Sequence, residues 1–108
     1  MARALIHMPA IAKRGEIIEI RALIGHPMET GYRVGADGKL LARDIIRSFA
    51  CRYNGEQIFG AELHQAISAN PYIAFFTIAT ESGTLEFSWQ GDNGFAHTEK
   101  TTITVSTA

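Results

Sequence analysis

The sequence predicts an all-β fold, an immunoglobulin-like antiparallel β-sandwich of about seven strands. Short runs in which apolar and polar residues alternate at a period of two indicate half-buried strands. Turn signals separate these runs every ~8–12 residues, a spacing typical of sandwiches. The length of 108 residues suits a single domain over residues 1–108. A five-stranded barrel of the OB type is the alternative architecture.

Composition excludes several classes of protein. With 46% hydrophobic and 19% charged residues, the chain resembles a globular domain rather than a disordered tail. Ten Lys and Arg residues against 11 Asp and Glu residues give a net charge of -1, so no basic excess indicates nucleic-acid binding. No apolar run approaches the ~18–20 residues of a membrane helix. The single cysteine, Cys51, rules out an intramolecular disulfide and a multi-cysteine zinc site.

The first predicted strand spans residues 16–24. Its apolar residues share one face, and they are Ile18, Ile20, Ala22 and Ile24. Polar residues such as Arg21 face the other way, which indicates a strand with one buried side. Because Pro27 cannot donate to a β-ladder, a loop follows at residues 26–31. A second, glycine-rich loop is predicted at residues 35–39.

A β-hairpin is the strongest local prediction. Residues 45–53 form a strand whose inward side chains are Ile45, Phe49, Cys51 and Tyr53. The Asn54-Gly55 dipeptide follows, and both residues tolerate the positive φ angles of a type I′ turn. The partner strand lies near residues 57–63, and its inward side chains are Phe59, Ala61 and Leu63.

Four further elements complete the predicted fold. Residues 64–69 form a short helical turn. Residues 72–80 form a strand that is apolar on both faces, which suggests a central position in a sheet. Residues 84–90 and 97–106 form the last two strands. In residues 84–90 the inward side chains are Leu85, Phe87 and Trp89. In residues 97–106 one face carries Thr101, Ile103 and Val105. The opposite face of the last strand is polar and solvated.

Four motifs stand in order along nearly the whole chain. They are His26-Pro27-Met28-Glu29-Thr30-Gly31-Tyr32-Arg33, Tyr53-Asn54-Gly55, Ser68-Ala69-Asn70-Pro71-Tyr72 followed by Phe75-Phe76, and Trp89 with Gly91-Asp92 and Gly94. A single Asn-Gly turn is uninformative, but the ordered set is specific, and its first string above all. In these motifs the chain resembles the SoxZ family, the partner subunits of the SoxYZ sulfur-carrier complex of bacterial thiosulfate oxidation.

The resemblance implies a partner and a compartment. SoxZ-like chains are small immunoglobulin-like sandwiches that pair with SoxY, whose C-terminal arm carries a cysteine flanked by glycines. Sulfur intermediates are held on that cysteine while the thiosulfate-oxidising enzymes act in turn. The complex is periplasmic, and a SoxZ-like chain without a signal peptide of its own is expected to be exported with its partner. The resemblance therefore implies a non-catalytic subunit of a heterodimer, without a cofactor.

Cys51 is the residue on which the alternative function depends. It shares a predicted strand face with Phe49 and Tyr53, which indicates a buried, unreactive thiol. A carrier thiol needs a mobile, glycine-flanked segment, and residues 101–108 contain neither cysteine nor glycine. The alternative function is a stand-alone thiol sulfurtransferase that uses Cys51, and a mixed disulfide with the partner also stays open. A generic adhesion module would leave the first motif unexplained.

No metal, cofactor or catalytic site is predicted. The four histidines lack the paired spacing of metal ligands, and no second histidine or methionine follows Cys51 closely, as a blue-copper site requires. A Ser-His-Asp set can be assembled on paper from Ser48, Ser68 or Ser88 with His64 and Asp44. No nucleophile elbow supports it, so surface polar residues are the better interpretation.

Two groups of residues are predicted to bind the partner. The first is the loop residues His26, Pro27, Met28 and Glu29, since this loop is more elaborate than a connection requires and Met28 suits a contact surface. A structural loop that covers the end of the sandwich is the alternative. The second group is the aromatic residues Tyr32, Tyr53, Tyr72 and Trp89, which can anchor an interface but can equally belong to the core. An isolated chain with an uncovered interface is expected to be prone to self-association.

Overall fold

The computed structural model describes residues 3–65, 67 and 69–107. In this part of the chain, eight strands form two sheets that enclose one core. The smaller sheet has the order β1 (Ala4–His7), β3 (Ile17–Ile24), β6 (Tyr72–Ile78). The larger sheet has the order β2 (Ile11–Lys13), β8 (Ala96–Ser106), β7 (Gly83–Gly91), β4 (Ile46–Tyr53), β5 (Glu56–Glu62). The predicted class, an immunoglobulin-like β-sandwich, is confirmed.

The core is built from the strand faces that the alternation predicts. The four predicted inward residues of β3 are all buried, as are Phe49, Phe87 and Trp89 on the facing sheet. The rings of Phe49 and Trp89 pack with their centroids 5.2 Å apart. At one open side of the sandwich, Phe59 of β5 stacks on Phe75 of β6 at 4.3 Å, which joins the two sheets. The alternation of apolar and polar residues in the sequence thus identifies these core residues without knowledge of the long-range contacts.

The predicted hairpin is confirmed, with a register shift between Cys51 and Arg52 in its own pairing and a second irregularity at the start of its first strand. Asn54 and Gly55 have φ angles of 50° and 86°, the positive pair that a type I′ turn requires. A bulge lies near the beginning of β4, where its pairing with β7 shifts just after Ile46. The consecutive residues Ile45 and Ile46 are therefore both buried. Gly91 allows this bend, because a Cβ atom there would lie 2.4 Å from the carbonyl oxygen of Ile45.

β6 lies at the edge of its sheet, so the central position predicted for residues 72–80 is wrong. Within the described residues β6 pairs with β3 alone, and β3 is the central strand of this sheet. The outward-facing residues of β6 include the exposed side chains Tyr72, Phe76 and Ile78. The apolar pattern on both faces of this strand reflects an exposed apolar surface rather than burial on both sides.

The two N-terminal strands were not predicted. β1 has four residues and β2 has three, which is too short for a period-two pattern to stand out. β2 adds to the larger sheet in parallel with β8, with Ile11 opposite Thr104. Every other strand pair in the described part of the chain is antiparallel.

Between β5 and β6, one backbone hydrogen bond of a turn is present among the described residues. The amide of Ile67 donates a hydrogen bond to the carbonyl of His64 at 3.0 Å. Ala66 and Ser68, which belong to the predicted helical turn at residues 64–69, lie outside the described residues. Within the described ranges, the only helical element is a 3-10 turn at Asp92–Gly94, so no helix here has the length needed to cross a membrane.

Candidate partner-binding surfaces

The loop that follows β3 is anchored by His26 and Met28, which are both buried. Nδ1 of His26 accepts a hydrogen bond from the Met28 amide at 2.9 Å, and the imidazole packs edge-on against Phe95. Met28 has a φ angle of 50°, and its sulfur accepts a hydrogen bond from the Ile46 amide at 3.2 Å. The structural-loop alternative therefore accounts for these two residues. Pro27, between them, is exposed.

Beyond this anchor, residues 29–44 form an irregular hairpin that we call the arm. Its two limbs pair through reciprocal hydrogen bonds of 2.8 Å between Glu29 and Asp44, and through a bridge between Val34 and Leu40. The side chain of Tyr32, on the first limb, is 75% exposed. The radius of gyration of 16.4 Å exceeds the about 13 Å of a compact domain of this length. The arm thus presents Tyr32 away from the core.

Asp92 ties the base of the arm to the body. Its carboxylate accepts hydrogen bonds from the Arg43 guanidinium at 2.8 and 3.0 Å and from the Ile45 amide at 3.2 Å. Arg47 approaches the same carboxylate at 3.3 Å. The hydrogen bonds from Arg43, above all, lower the pKa of Asp92 below its ordinary value.

A second carboxylate, that of Glu29, stabilises the first limb of the arm. It lies 2.6 Å from the guanidinium of Arg33, and this hydrogen bond lowers the pKa of Glu29. Glu29 is half-buried and already paired within its own limb, so a partner that uses it must compete with Arg33.

A polar cleft of about 360 Å³ opens beside the base of the arm. Arg43, Arg47, Glu62 and His64 contribute to its lining. Since both arginines contact Asp92 and Glu62 adds a negative charge, the cleft has no excess of positive charge that would attract an anion.

The four candidate aromatic anchors divide into two pairs. Trp89 is 1% exposed, and Tyr53 is buried with its hydroxyl donating to the carbonyl oxygen of Glu81. Trp89 and Tyr53 therefore belong to the core, because a partner cannot reach either ring without opening the sandwich. Tyr72 is 59% exposed on β6, and Tyr32 is exposed on the arm. These two rings are the candidates that a partner can contact.

The outer face of the smaller sheet carries a group of exposed apolar side chains, which we call the outer apolar face. Its members are Leu5, Ile17, Tyr72, Phe76 and Ile78. Strand register places Leu5 and Tyr72 on either side of Leu23, and Ile17 directly opposite Ile78. Of these residues, sequence reasoning named only Tyr72 as a contact. In the sequence, this surface is indicated by the apolar residues on the second face of the strand at residues 72–80. The same pattern also predicts burial within a sheet.

The charges on the outer apolar face neutralise each other. Arg21 and Glu19, two positions apart on the same face of β3, form an ion pair at 2.9 Å. The hydrogen bonds that the Arg21 guanidinium donates to the Glu19 carboxylate raise the pKa of Arg21. Because Arg21 and Glu19 neutralise each other, an uncharged partner surface can pack on the apolar side chains of this face.

Cys51 lies in the core, as its strand position predicts. It is 0% exposed, and burial raises the pKa of its thiol to about 12. The thiolate is the nucleophilic form of cysteine, so this environment suppresses reactivity. In residues 3–65, 67 and 69–107, no group of three His, Cys, Asp or Glu side chains is placed to hold a metal ion.

Among the described residues, no hydrogen bond or ion pair joins His64 to Asp44, Ser48 or Ser88, so these members of the hypothetical Ser-His-Asp set are not assembled. Oδ1 of Asp44 lies 3.6 Å from Nε2 of His26, at the base of the arm. Ser68, one of its three candidate nucleophiles and part of the third motif, lies outside the described residues.

A family model described as sulphur oxidation protein SoxZ matches residues 6–102 of the chain. No curated protein sequence gives a significant match. The matched span includes all four motifs and six complete strands, from β2 to β7, together with most of β8 and part of β1.

Solved structures share the fold at low sequence identity. A superoxide reductase (neelaredoxin) from Ignicoccus hospitalis has a TM-score of 0.73 and 18% identity, with 95% of this chain and 80% of that chain covered. A putative superoxide reductase from Thermotoga maritima has a TM-score of 0.71 and 18% identity, covering 95% and 85%. The sulfur carrier protein SoxY from Chlorobium limicola f thiosulfatophilum has a TM-score of 0.65 and 11% identity, covering 95% and 78%. At these identities the likeness concerns the fold alone.

Proposed function

The chain belongs to the SoxZ family of sulphur oxidation proteins, and we propose that it is the non-catalytic subunit of a sulfur-carrier heterodimer. In this proposal a SoxY-type chain supplies the cysteine that holds the sulfur intermediates during thiosulfate oxidation. This chain supplies the rigid body on which the carrier is presented to the enzymes of the pathway. The heterodimer works in the periplasm.

The burial of Cys51 is the observation that carries this division of labour. A carrier thiol must enter the active sites of several enzymes, and Cys51 lies on β4, between β7 and β5 in the larger sheet, with its side chain in the core. Its raised pKa of about 12 keeps it protonated at neutral pH. These features support a reactive thiol on another chain, and they disfavour a stand-alone sulfurtransferase that uses Cys51.

The outer apolar face is the surface that best fits a permanent partner. Its five exposed side chains present roughly 600 Å² of apolar surface, in two groups on either side of the Arg21–Glu19 ion pair. A stable heterodimer buries about 800 Å² on each partner, so this face and its rim are large enough. The exposed Tyr72 is the aromatic anchor of that contact.

Co-expression with a SoxY-type chain tests the pairing. We expect a 1:1 complex in size-exclusion chromatography with light scattering. Ile17→Asp on the outer apolar face should abolish it, while the matched control Ile11→Asp, an equally exposed isoleucine on β2, should not. A chain that elutes alone at micromolar concentration contradicts the pairing. Equal binding by the two variants places the contact elsewhere.

Tetrathionate separates the proposed function from the sulfurtransferase alternative. A reactive thiolate attacks a central sulfur of tetrathionate, takes up an S–SO₃⁻ group and releases thiosulfate. We expect the intact mass of the folded chain to stay unchanged and the urea-unfolded chain to gain the adduct at Cys51. An adduct on the folded, isolated chain would support the alternative.

A further inference from the structure

Three of the four sheet edges carry features that prevent unwanted strand pairing, and the edge at β6 does not. β1 and β2 are only four and three residues long. β5 has a glutamate at each end, Glu56 and Glu62, and a glycine inside. β6 runs for seven residues, Tyr-Ile-Ala-Phe-Phe-Thr-Ile, without a charged residue, proline or glycine. A long, uncharged, apolar edge is a template for pairing with another strand.

Hydrogen bonds at both ends of β6 show which of its backbone groups face away from β3. The Ile24 amide donates to the carbonyl of Pro71 at 3.2 Å, and the Ala79 amide donates to the carbonyl of Glu16 at 2.8 Å. Because hydrogen bonding alternates along an antiparallel strand, the even-numbered residues between these two point their N–H and C=O groups outward. They are Tyr72, Ala74, Phe76 and Ile78. Among the described residues, no strand pairs with this edge.

The same even-numbered residues carry the exposed side chains of the outer apolar face. A strand added at this edge would therefore gain main-chain hydrogen bonds and side-chain contacts from one set of residues. An open cleft of about 450 Å³ runs beside the edge, and Ile58, Phe76 and Ile78 are among its lining residues. The edge thus has open space next to it, lined by apolar side chains of β5 and β6 together with polar ones such as Glu56 and Thr80.

We propose that the SoxY-type partner adds one of its own strands to the outer edge of β6, so that the smaller sheet continues across the heterodimer. This inference rests on the proposed function, since it takes that partner as the occupant. A SoxY protein shares the sandwich fold of this chain, and a sandwich of this type has strand edges to offer. In strand addition, main-chain bonds supply affinity and alternate side chains supply specificity. Here Tyr72 and Phe76 supply the specific contacts.

Amide hydrogen exchange of the full chain, alone and in the complex, tests the inference directly. We expect the amides of Tyr72, Ala74, Phe76 and Ile78 to exchange at least tenfold more slowly in the complex. The amides of Ala4 and Ile6, on the opposite edge of the same sheet, should not change. A stable complex with unprotected β6 amides overturns the inference and leaves the proposed function standing. The absence of any complex overturns both.

A second copy of this chain is the competing occupant, and the same experiment identifies it. If the four amides are already protected in the isolated chain at the same concentration, with a dimer mass by light scattering, then self-pairing covers the edge and the inference is wrong.

A matched pair of proline variants provides the functional readout. Ala74→Pro removes an outward amide that β3 does not use, and Ala4→Pro does the same on β1. We expect Ala74→Pro to weaken partner binding at least tenfold and Ala4→Pro to change it less than twofold, with circular dichroism confirming that both fold. Equal affinity of Ala74→Pro and the unsubstituted chain contradicts strand addition. Should either variant unfold, hydrogen exchange on the unsubstituted chain decides.

Discussion

His26 and Asn70 bind each other through two hydrogen bonds, although 44 positions separate them in the chain. The His26 amide donates to Oδ1 of Asn70 at 2.9 Å, and the Asn70 amide donates to the carbonyl of His26 at 2.7 Å. This contact joins the loop that leaves β3 to the turn that enters β6. Through it, the first and third motifs form one structural unit. That unit fixes the position of β6, the strand on which the proposed interface depends.

Removing the Asn70 side chain should therefore loosen the entry to β6. Asn70 has a φ angle of 52°, so Asn70→Ala loses the acceptor for the His26 amide and places a Cβ-bearing residue without a compensating hydrogen bond in the left-handed region. We expect the free energy of unfolding to fall by about 2 kcal/mol in urea denaturation. Asn70→Asp, which keeps the acceptor oxygen, should lose less. Equal losses for both variants would show that the hydrogen bond contributes little.

The attachment of the arm should depend on pH through Asp92. Because hydrogen bonds from Arg43 lower the pKa of Asp92 below 3.8, its ionised form stabilises the fold above that pH. This contribution is lost as the pH falls through the lowered pKa of the folded state. Asp92→Asn should thus be less stable than the unsubstituted chain at pH 7, and the difference should shrink below pH 3.8, measured by urea denaturation at each pH.

The matched control for Asp92 is Asp37→Asn at the tip of the arm, whose carboxylate accepts a hydrogen bond from the Lys39 amide within the arm. This variant should leave stability nearly unchanged at both pH values. A difference for Asp92→Asn that persists unchanged at low pH would contradict the role of its charge.

Local pattern was sufficient for the long strands and the hairpin. The alternation in β3 and the Asn54-Gly55 turn depend on side-chain period and backbone φ, and both are properties of neighbouring residues. The position of β6 depends instead on which strands pair, and an apolar run does not distinguish burial inside a sheet from burial against another subunit. The apolar run of β6 therefore predicts the strand correctly, but the central position that it suggests in the sheet is wrong.

The loop at residues 26–31 shows the same limit. The first motif is more elaborate than a connection requires, and this elaboration has a structural cause. Met28 adopts a positive φ angle and accepts a hydrogen bond from Ile46, 18 positions further along the chain. Contacts over such distances leave no periodic signal in the sequence. The burial of His26 was equally hidden, whereas the burial of Cys51 followed from its strand face.

Alkaline unfolding should reveal the buried thiol of Cys51. Its pKa rises from 9.0 to about 12 in the folded chain, so the unfolded chain loses this proton first as the pH increases. The stabilisation is complete below pH 9 and is lost as the pH rises towards 12, at up to about 1.4 kcal/mol per pH unit. The Cys51→Ala variant has no thiol to titrate. The difference in free energy of unfolding between the unsubstituted chain and this variant should therefore narrow from pH 8 to pH 11. A constant gap in urea denaturation would show that the thiol titrates normally.

Substitutions at two aromatic residues should separate the core from the interface. Trp89 is almost fully buried, so Trp89→Phe should lower the free energy of unfolding by about 2 kcal/mol and leave the affinity of the folded chain for a SoxY-type partner within about twofold. Tyr72 is exposed on β6, so Tyr72→Ala should change stability by less than about 0.5 kcal/mol and weaken binding at least tenfold. Tyr32→Ala, an exposed tyrosine on the arm, is the matched control for calorimetric titration. If Tyr32→Ala weakens binding and Tyr72→Ala does not, the partner docks on the arm, and the interface on the smaller sheet is wrong.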